Sequence, residues 1–432
     1  MTGNIGAPEV NKSKDRIILH CDCNSFFASV ESVMRPELKE VPMAVAGDPE
    51  NRRGIILAKN ELAKRYNVQT AEPIWQAKRK CPGLVCVKPN YHKYHEYYEK
   101  INQIYLDYTD LVEPFSIDES YLDVTGTLHL FKKTPKELAD SIRARVKSEL
   151  GITISVGVSF CKVFAKLGSD YKKPDATTVI MRKDIEHIVY PLPVSDLLFV
   201  GRRSAEILNA RGIRTVADLA KLERPYLESI LGKQGDILWS YVHGEENDPV
   251  HSFYDRHEVK SVSNGMTFKR DLIGEEEIKA GVSALSDSVA SRLRYEHKKC
   301  TVVQISIKDP KFKTIQRQRK LLKPTHLQRE ITDVAMELIL ENWDINKPIR
   351  LITVGGSELV PENEEPMEQL SLFGDIAYSG KSKKSPKYDP GKQEKIEGTI
   401  DTIRNKYGSS SIRFGYTKNE ELGIDIFGKG RR

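Results

Sequence analysis

Three carboxylates carry the clearest chemistry in this sequence. Asp118 and Glu119 lie side by side in Ser116-Ile117-Asp118-Glu119-Ser120-Tyr121-Leu122-Asp123, and Asp22 closes the apolar run Ile17-Ile18-Leu19-His20-Cys21. Hard divalent cations such as Mg²⁺ select carboxylate oxygens. Neighbours in a regular strand point to opposite faces, so Asp118 and Glu119 share one metal site only at a turn or a strand end. Apolar–polar alternation runs up to Ile117 and resumes at Tyr121, which reads as two half-buried strand segments with the acids at the join. Taken alone, such a pair in a hairpin turn is usually just solvated. Asp22 ends a buried strand just ahead of a helix over 26–33, stopped near Pro36, for which Asn24 and Ser25 are residues of N-cap type. Metal and phosphate chemistry favours such a position; a plain turn occupies it as well.

The elements around the acids follow from periodicity and caps. Residues 41–46 and 54–57 read as strands, and 59–66 and 73–80 as short helices. A longer helix over 91–108 carries Tyr94, Tyr98, Ile101 and Tyr105 on one stripe, a packing face. Thr134-Pro135-Lys136-Glu137 is a capping box with proline at the first helical position, opening a helix to Leu150. Ile152, Ile154, Val156 and Val158 alternate as a strand, followed by a basic helix from Lys162 through Lys166 towards Lys172, Lys173 and Pro174. This order predicts an α+β sheet with its helices gathered on one face and residues 28–89 inserted.

Residues 185–246 read as all helix. Leu198-Phe199-Val200-Gly201-Arg202 leads into a helix ending near Gly212, and Thr215 with Asp218 caps the next. That arrangement fits a helix-hairpin-helix gripping a DNA phosphate through backbone N–H groups, or an ordinary αα-hairpin. After a linker at 250–257, a βαββαβ unit is expected from a strand over 259–268, a helix over 275–296, strands over 300–308 and 313–321, a helix over 326–342 and a strand over 350–359. Between Lys298 and Lys323 nine Lys or Arg stand against the single acid Asp309, with Lys313, Arg317 and Arg319 on one strand face. Like charges at that density point to a phosphate backbone.

With 432 residues, two to four domains are expected. Hydrophobic content of 39% with 30% charged residues describes a globular chain, and no apolar run is long enough to span a bilayer. Residues 1–14 lack the apolar core of a secretory signal. Six cysteines form no C-x-x-C pair, and Cys21 and Cys23 flanking Asp22 are poorly spaced for zinc, so free thiols in a reducing cytoplasm are expected. A formal charge of +6 permits a polyanionic partner. Beyond Pro361, the apolar pentapeptide Gln369-Leu370-Ser371-Leu372-Phe373 sits in a polar, Lys/Ser/Gly/Pro-rich stretch and reads as a docking peptide. Residues 394–407 suit a short helix, and the rest of the tail is unassigned.

Four stretches together resemble the Y-family DNA polymerases of the bacterial DNA polymerase IV type. His20-Cys21-Asp22-Cys23-Asn24-Ser25-Phe26-Phe27-Ala28-Ser29-Val30-Glu31 resembles the first family motif, and Ser116 to Asp123 the second. Ser155-Val156-Gly157-Val158-Ser159 through Ala165-Lys166 and Lys172-Lys173-Pro174 is similar to the third, and Gln369 to Phe373 to the sliding-clamp peptide of bacterial polymerases. The resemblance implies a right-hand architecture: palm at 15–27 and 90–180, fingers at 28–89, helix-hairpin-helix thumb at 181–249, little finger at 258–359, a flexible segment at 360–393 and a tail at 394–432.

It also implies roles. Asp22, Asp118, Glu119 and the Cys23 carbonyl would ligate two Mg²⁺ ions, with Mn²⁺ able to substitute. Phe27 would be the steric gate against a ribose 2′-hydroxyl, and Lys64 and Lys173 would meet the triphosphate. Gly201, Lys313, Arg317 and Arg319 would contact DNA; Gln369, Leu370, Leu372 and Phe373 would dock on the sliding clamp. Asp123 reads as structural. The implied protein is a cytoplasmic, nucleoid-associated monomer acting on primer–template DNA and deoxynucleoside triphosphates at low fidelity. Ala58, Glu61 and Lys64 stand where the family usually has Thr, Tyr and Arg, Cys161 where it has Asn, and Phe199 where the thumb hairpin starts with Gly. A catalytically weak, clamp-tethered DNA-binding paralogue and a two-metal nuclease are the competing readings.

Overall fold

The computed structural model describes residues 15–48, 54–255, 258–363, 389–409, 411–412 and 422–424. The leader, the peptide Gln369 to Phe373 and most of 360–393 lie outside them. The chain divides into two compact units, Met1–Ala46 with Ile56–Arg256, and Gly47–Ile55 with His257–Arg432.

The first unit is organised around β1 (Ile18–Cys23), buried along its whole length. After it come α1 (Phe26–Met34), β2 (Met43–Ala46), β3 (Ile56–Lys59), α2 (Glu61–Arg65), α3 (Ile74–Lys80), β4 (Val85–Val87) and α4 (Tyr91–Leu106). Next are β5 (Val112–Pro114), β6 (Glu119–Asp123), α5 (Leu128–Phe131), α6 (Pro135–Leu150), β7 (Ile154–Ser159), α7 (Lys162–Tyr171) and β8 (Thr177–Ile180). Four helices follow: α8 (Arg202–Asn209), α9 (Val216–Ala220), α10 (Arg224–Leu231) and α11 (Lys233–Val242). The main sheet has the order β5-β6-β1-β7-β8, and β3-β2-β4 form a separate one.

The capping box at Thr134 and Glu137 forms as its spacing requires. Asn24 and Ser25, by contrast, do not cap α1. Ser25 takes the left-handed conformation at φ 50 with no side-chain cap. The Asn24 amide instead donates to Ser155 Oγ at 2.9 Å, and its oxygen accepts the Asp175 N–H at 2.9 Å.

Helices cover both faces of the sheet, not one. Leu19, Cys21 and Cys23 of β1 and Ile154, Val156 and Val158 of β7 point into a core closed by α4 and α6. On the other face His20 pairs with Gly157 across the strands, and α7 lies directly over them. A Cβ at Gly157 would stand 1.8 Å from the Ala165 carbonyl oxygen and 2.5 Å from the Ser169 nitrogen. The Ser155-Gly157-Ser159 face is therefore small because a helix backbone rests on it, and not because water does. β8 joins β7 in parallel beyond α7, from the β-branched run Thr177-Thr178-Val179.

The second unit holds β9 (Ser261–Leu272), α12 (Glu275–Tyr295), β10 (Lys298–Lys308), β11 (Thr314–Thr325), α13 (Gln328–Asn342), β12 (Ile349–Pro361) and α14 (Pro390–Tyr407). Its sheet runs β11-β10-β12-β9, entirely antiparallel. Ile305 and Val303 of β10 face the core under α12 and α13, and they register with Arg317 and Arg319. The two arginines thus share a face, but it is the helix-covered one. Arg319 is held by Glu337 at 2.6 Å and Glu341 at 2.6 and 2.8 Å, and Arg317 by Asn342 at 2.8 Å. Carboxylates 18 and 22 residues downstream on α13, outside the local charge count, thus pair with Arg319, while Arg317 meets a neutral amide. The opposite face presents Ser263, Gln304, Ser306, Gln316, Gln318 and Thr353, with Lys308 and Lys320 in register on the same side.

The tail is part of this unit. The buried Arg404 guanidinium on α14 forks onto the buried Asp287 at 2.9 and 2.8 Å. Glu397 accepts the Gln328 N–H at the start of α13, 3.1 Å to each oxygen, and Leu422 enters the core. No helix among the described residues is long and apolar enough to cross a membrane.

The packing at Gly157 yields a test. Gly157→Ala forces a methyl into backbone atoms and should cost at least about 2–3 kcal/mol in urea unfolding. Gly126→Ala, with nothing within 4 Å of its added carbon, is the control and should stay within about 0.5 kcal/mol.

Candidate active site

Asp22 and Glu119 are register partners on adjacent antiparallel strands, and this fixes the site. Asp118 lies in the bend just before β6, where its carbonyl accepts the Cys23 N–H at 3.0 Å. A strand residue's N–H and C=O point to the same edge, so the Cys23 carbonyl faces Asp118. The reciprocal bond is not made, because the Asp118 N–H turns to Ser116 Oγ at 3.3 Å. Ser116 Oγ also donates to Asp118 Oδ1 at 2.6 Å. The bend thus lets two consecutive acids serve one cleft.

Two lysines answer the three acids. Lys173 Nζ lies 2.8 Å from Asp22 Oδ2 and 2.7 Å from Asp170; Lys166 Nζ lies 3.0 Å from Glu119 and 3.9 Å from Asp22. Burial pushes the Asp22 carboxyl up to about 7 even against the Lys173 ammonium, and the neighbouring Glu119 charge adds to the rise. Burial likewise raises Asp118. Burial opposes ionisation of Glu119, but the His20 ring and the Lys166 ammonium outweigh it and hold that carboxyl well below its usual range. His20 is fully buried behind Glu119, 3.6 Å from Oε2, and burial pushes it down to about 4. The hard oxygen donors and the cations already drawn to them fit a divalent metal. The three carboxylates are not themselves gathered within 4.8 Å of one another.

The acids open on a cleft of about 360 Å³ whose walls include Phe27, Ala58, Lys59, Lys64, Thr70 and Lys173. Phe27 stacks on Tyr94 at 4.1 Å with the planes 12° apart, while Phe26 is buried in the core. The Tyr94 hydroxyl donates to the buried Glu31 at 2.7 Å, and Arg35 pairs with the same carboxylate. Lys64 does not project freely: its ammonium is 2.5 Å from Glu61 Oε1. Cys161 is buried at the start of α7 without capping it, and the Glu246 carboxylate takes the Lys162 N–H instead at 2.7 Å.

Away from the cleft, Phe199 stands at φ 66, the left-handed region that suits glycine. Its ring, 55% exposed, leans on Tyr241 at 6.2 Å. Such a conformation costs a bulky residue on the order of 1 kcal/mol. Gly201 is the N-cap of α8, with nothing within 4 Å of the position a Cβ would take. Lys313 closes the turn before β11, its N–H on Asp309 at 2.8 Å. Lys166 and His20 went unassigned by sequence reasoning; the signal available for Lys166 was its i, i+4 spacing from Asp170 on α7.

An acidic strand edge over a helix-backed sheet, with an aromatic and lysines around its cleft, has the chemistry to hold a metal ion and an anionic substrate. The impB/mucB/samB family matches residues 21–170, and the C-terminal domain of that family matches residues 259–372. DNA polymerase IV of Acetivibrio thermocellus is 43% identical over 93% of this chain and 97% of its own length. DNA polymerase IV 1 of Bacillus subtilis is 36% identical over 94% of each chain, and DNA polymerase IV of Clostridium kluyveri 36% identical over 93% of this chain and 98% of its own. A solved Y-family DNA polymerase chimera of Dbh and Dpo4 shares the fold, with a TM-score of 0.70 at 23% identity, covering 80% of this chain and 99% of that one. The chain belongs to the impB/mucB/samB family, as a Y-family DNA polymerase of the DNA polymerase IV type.

The raised Asp22 sets a pH dependence. A cation must displace its proton below about pH 7. Mg²⁺ affinity should therefore climb as pH rises through about 7, with proton release on the acid side. Titration calorimetry in two buffers of different ionisation heat reads this, and Asp22→Asn should remove the dependence.

Proposed function

We propose that this chain is a template-directed, low-fidelity DNA polymerase that extends a primer 3′-hydroxyl with deoxynucleotides, past damaged bases, in the cytoplasm. The observation that carries the reading is the pairing of Asp22 with Glu119, with Asp118 at the adjoining bend, under a cleft walled by Phe27 and Lys173. Polymerases of this family are metal-dependent. Asp22, Asp118, Glu119 and the Cys23 carbonyl would hold two Mg²⁺ ions, or Mn²⁺. When bound, such ions activate the attacking oxygen and offset charge on the leaving pyrophosphate. The protein's own part is to supply oxygens held by two strands and a bend, and to close the sugar side of the cleft. Phe27, fixed by its stack on Tyr94, would meet a ribose at C2′ and leave no room for a hydroxyl. Lys173 would exchange Asp22 for the triphosphate, and Lys64 would do so only by leaving Glu61.

Duplex DNA would lie on the open polar face of the second unit's sheet, around Ser263, Gln304 and Gln318, with the Arg317 and Arg319 guanidiniums engaged on α13. Gly201 at the start of α8 leaves its backbone open to a phosphate. Gln369, Leu370, Leu372 and Phe373 would tether a monomeric enzyme to the sliding clamp; support for that is their sequence pattern.

Primer extension with Mg²⁺ and deoxynucleotides tests the reading. Asp118→Ala should lose at least about a hundredfold in rate. Full activity in that variant, or none in the wild type, would overturn it, and degradation of the primer would mark a nuclease. Phe27→Ala should admit ribonucleotides in the same assay. Glu61→Gln should free Lys64 and lower the deoxynucleotide KM with kcat unchanged. An exposed pair is worth at most about 1 kcal/mol, so the gain should not exceed about fivefold.

A further inference from the structure

The second unit carries a cluster of imidazoles and carboxylates that the polymerase chemistry does not use. His326, between β11 and α13, is 1% exposed. Its Nε2 lies 2.7 Å from Glu394 Oε1 on α14. A carboxylate accepts only, so Nε2 carries a hydrogen, and in the neutral ring Nδ1 then presents the lone pair. Nδ1 is buried and has no hydrogen-bond partner among the described residues. It faces Glu362 Oε1 at 3.9 Å, just past the end of β12.

The other Glu362 oxygen is 3.2 Å from Nδ1 of His297, the residue before β10. The Glu362 N–H donates to the His297 carbonyl at 3.0 Å, so the carboxylate is anchored between the two rings. Ligand atoms from His326, Glu362 and Glu394 lie within 4.8 Å of one another, and this is the one such group of three among the described residues; His297 stands outside it, so its exposed ring must turn inward to join an ion there.

We propose that His326 Nδ1, Glu362 and His297 bind a divalent transition-metal ion of the Zn²⁺ class, with Glu394 as the outer carboxylate that orients the His326 ring. A bare buried lone pair beside an acceptor-only carboxylate is unfavourable, and a cation between them removes the conflict. The gap of 3.9 Å is too long for a hydrogen bond. Bonds of 2.0–2.1 Å about a tetrahedral ion put two ligand atoms about 3.3 Å apart, a closure of about 0.6 Å for His326 and Glu362. Imidazole with carboxylate suits zinc, and a carboxylate on the far ring nitrogen is the usual way a ligating histidine is held in its tautomer.

The position gives the ion a structural task. Glu362 precedes and Glu394 follows the stretch 364–388, which contains the Gln369 to Phe373 peptide. A metal here would tie the end of β12, through Glu362, to α14, through Glu394.

Co²⁺ titration of the full chain, followed by visible absorption, tests this. Wild type and Asp118→Ala should each show one saturable tetrahedral Co²⁺ band, displaced by Zn²⁺, and Zn²⁺ should raise the Tm. His326→Gln and Glu362→Gln should each weaken binding at least tenfold and lose the Tm rise. His297→Asn, at an 84% exposed side chain in a backbone conformation that Asn tolerates, should weaken binding without harming the fold. Absence of a saturable band in wild type, or a band unaltered in His297→Asn and Glu362→Gln, would show a hydrogen-bonded cluster with no ion and overturn the proposal.

Discussion

The register of β1 against β6 is the constraint on which the catalytic half of the molecule depends. Antiparallel pairing sets Asp22 opposite Glu119. The ladder then breaks at Asp118, whose N–H leaves the sheet for Ser116 while its carbonyl keeps the Cys23 N–H. One residue of slip in β1 would turn Asp22 to the apolar face, away from Glu119, since side chains alternate with a period of two. Burial on both sides of β1, with Leu19, Cys21 and Cys23 under α4 and α6 and with Ile18 and His20 against α7, holds the register in place.

From this pairing follows a concentration of like charge that the surrounding fold has to manage. It does so with α7. The absent side chain at Gly157 lets that helix lie on the strands, and its closeness delivers Lys166 to Glu119 while Lys173 at its exit reaches Asp22. Burial and charge then separate the two acids, Asp22 upward and Glu119 downward. A cation entering the site therefore competes with one proton and two ammonium groups, which makes its affinity responsive to pH and to whatever draws the lysines away. Triphosphate is such a group, since it carries the charge Lys173 would follow.

Much of this was legible in the residues. The two broken alternations marked the join that holds Asp118 and Glu119; the Thr134 box and the βαββαβ order of the second unit were local signals, and local signals are what sequence displays. What failed was long-range. Small residues at 155, 157 and 159 look the same under water as under a helix backbone, so the second layer on the sheet was missed. Arg317 and Arg319 share a face as periodicity required, yet their partners, Asn342 for the first and Glu337 and Glu341 for the second, come from another element. The tail gave no hint of docking, because Arg404 finds Asp287 across more than a hundred residues. The residues Asn24 and Ser25 have capping chemistry, but tertiary bonds from Asn24 to Ser155 and Asp175 claimed it first.

The most direct test of the account is a crystal structure with primer–template DNA, a non-hydrolysable deoxynucleotide and Mn²⁺, located by its anomalous scattering. Two peaks about 3.5–4 Å apart, bound by Asp22, Asp118, Glu119 and the Cys23 carbonyl with Lys173 turned to the phosphates, are the result predicted. Peaks away from these oxygens, or Lys173 still on Asp22 with nucleotide bound, would contradict it.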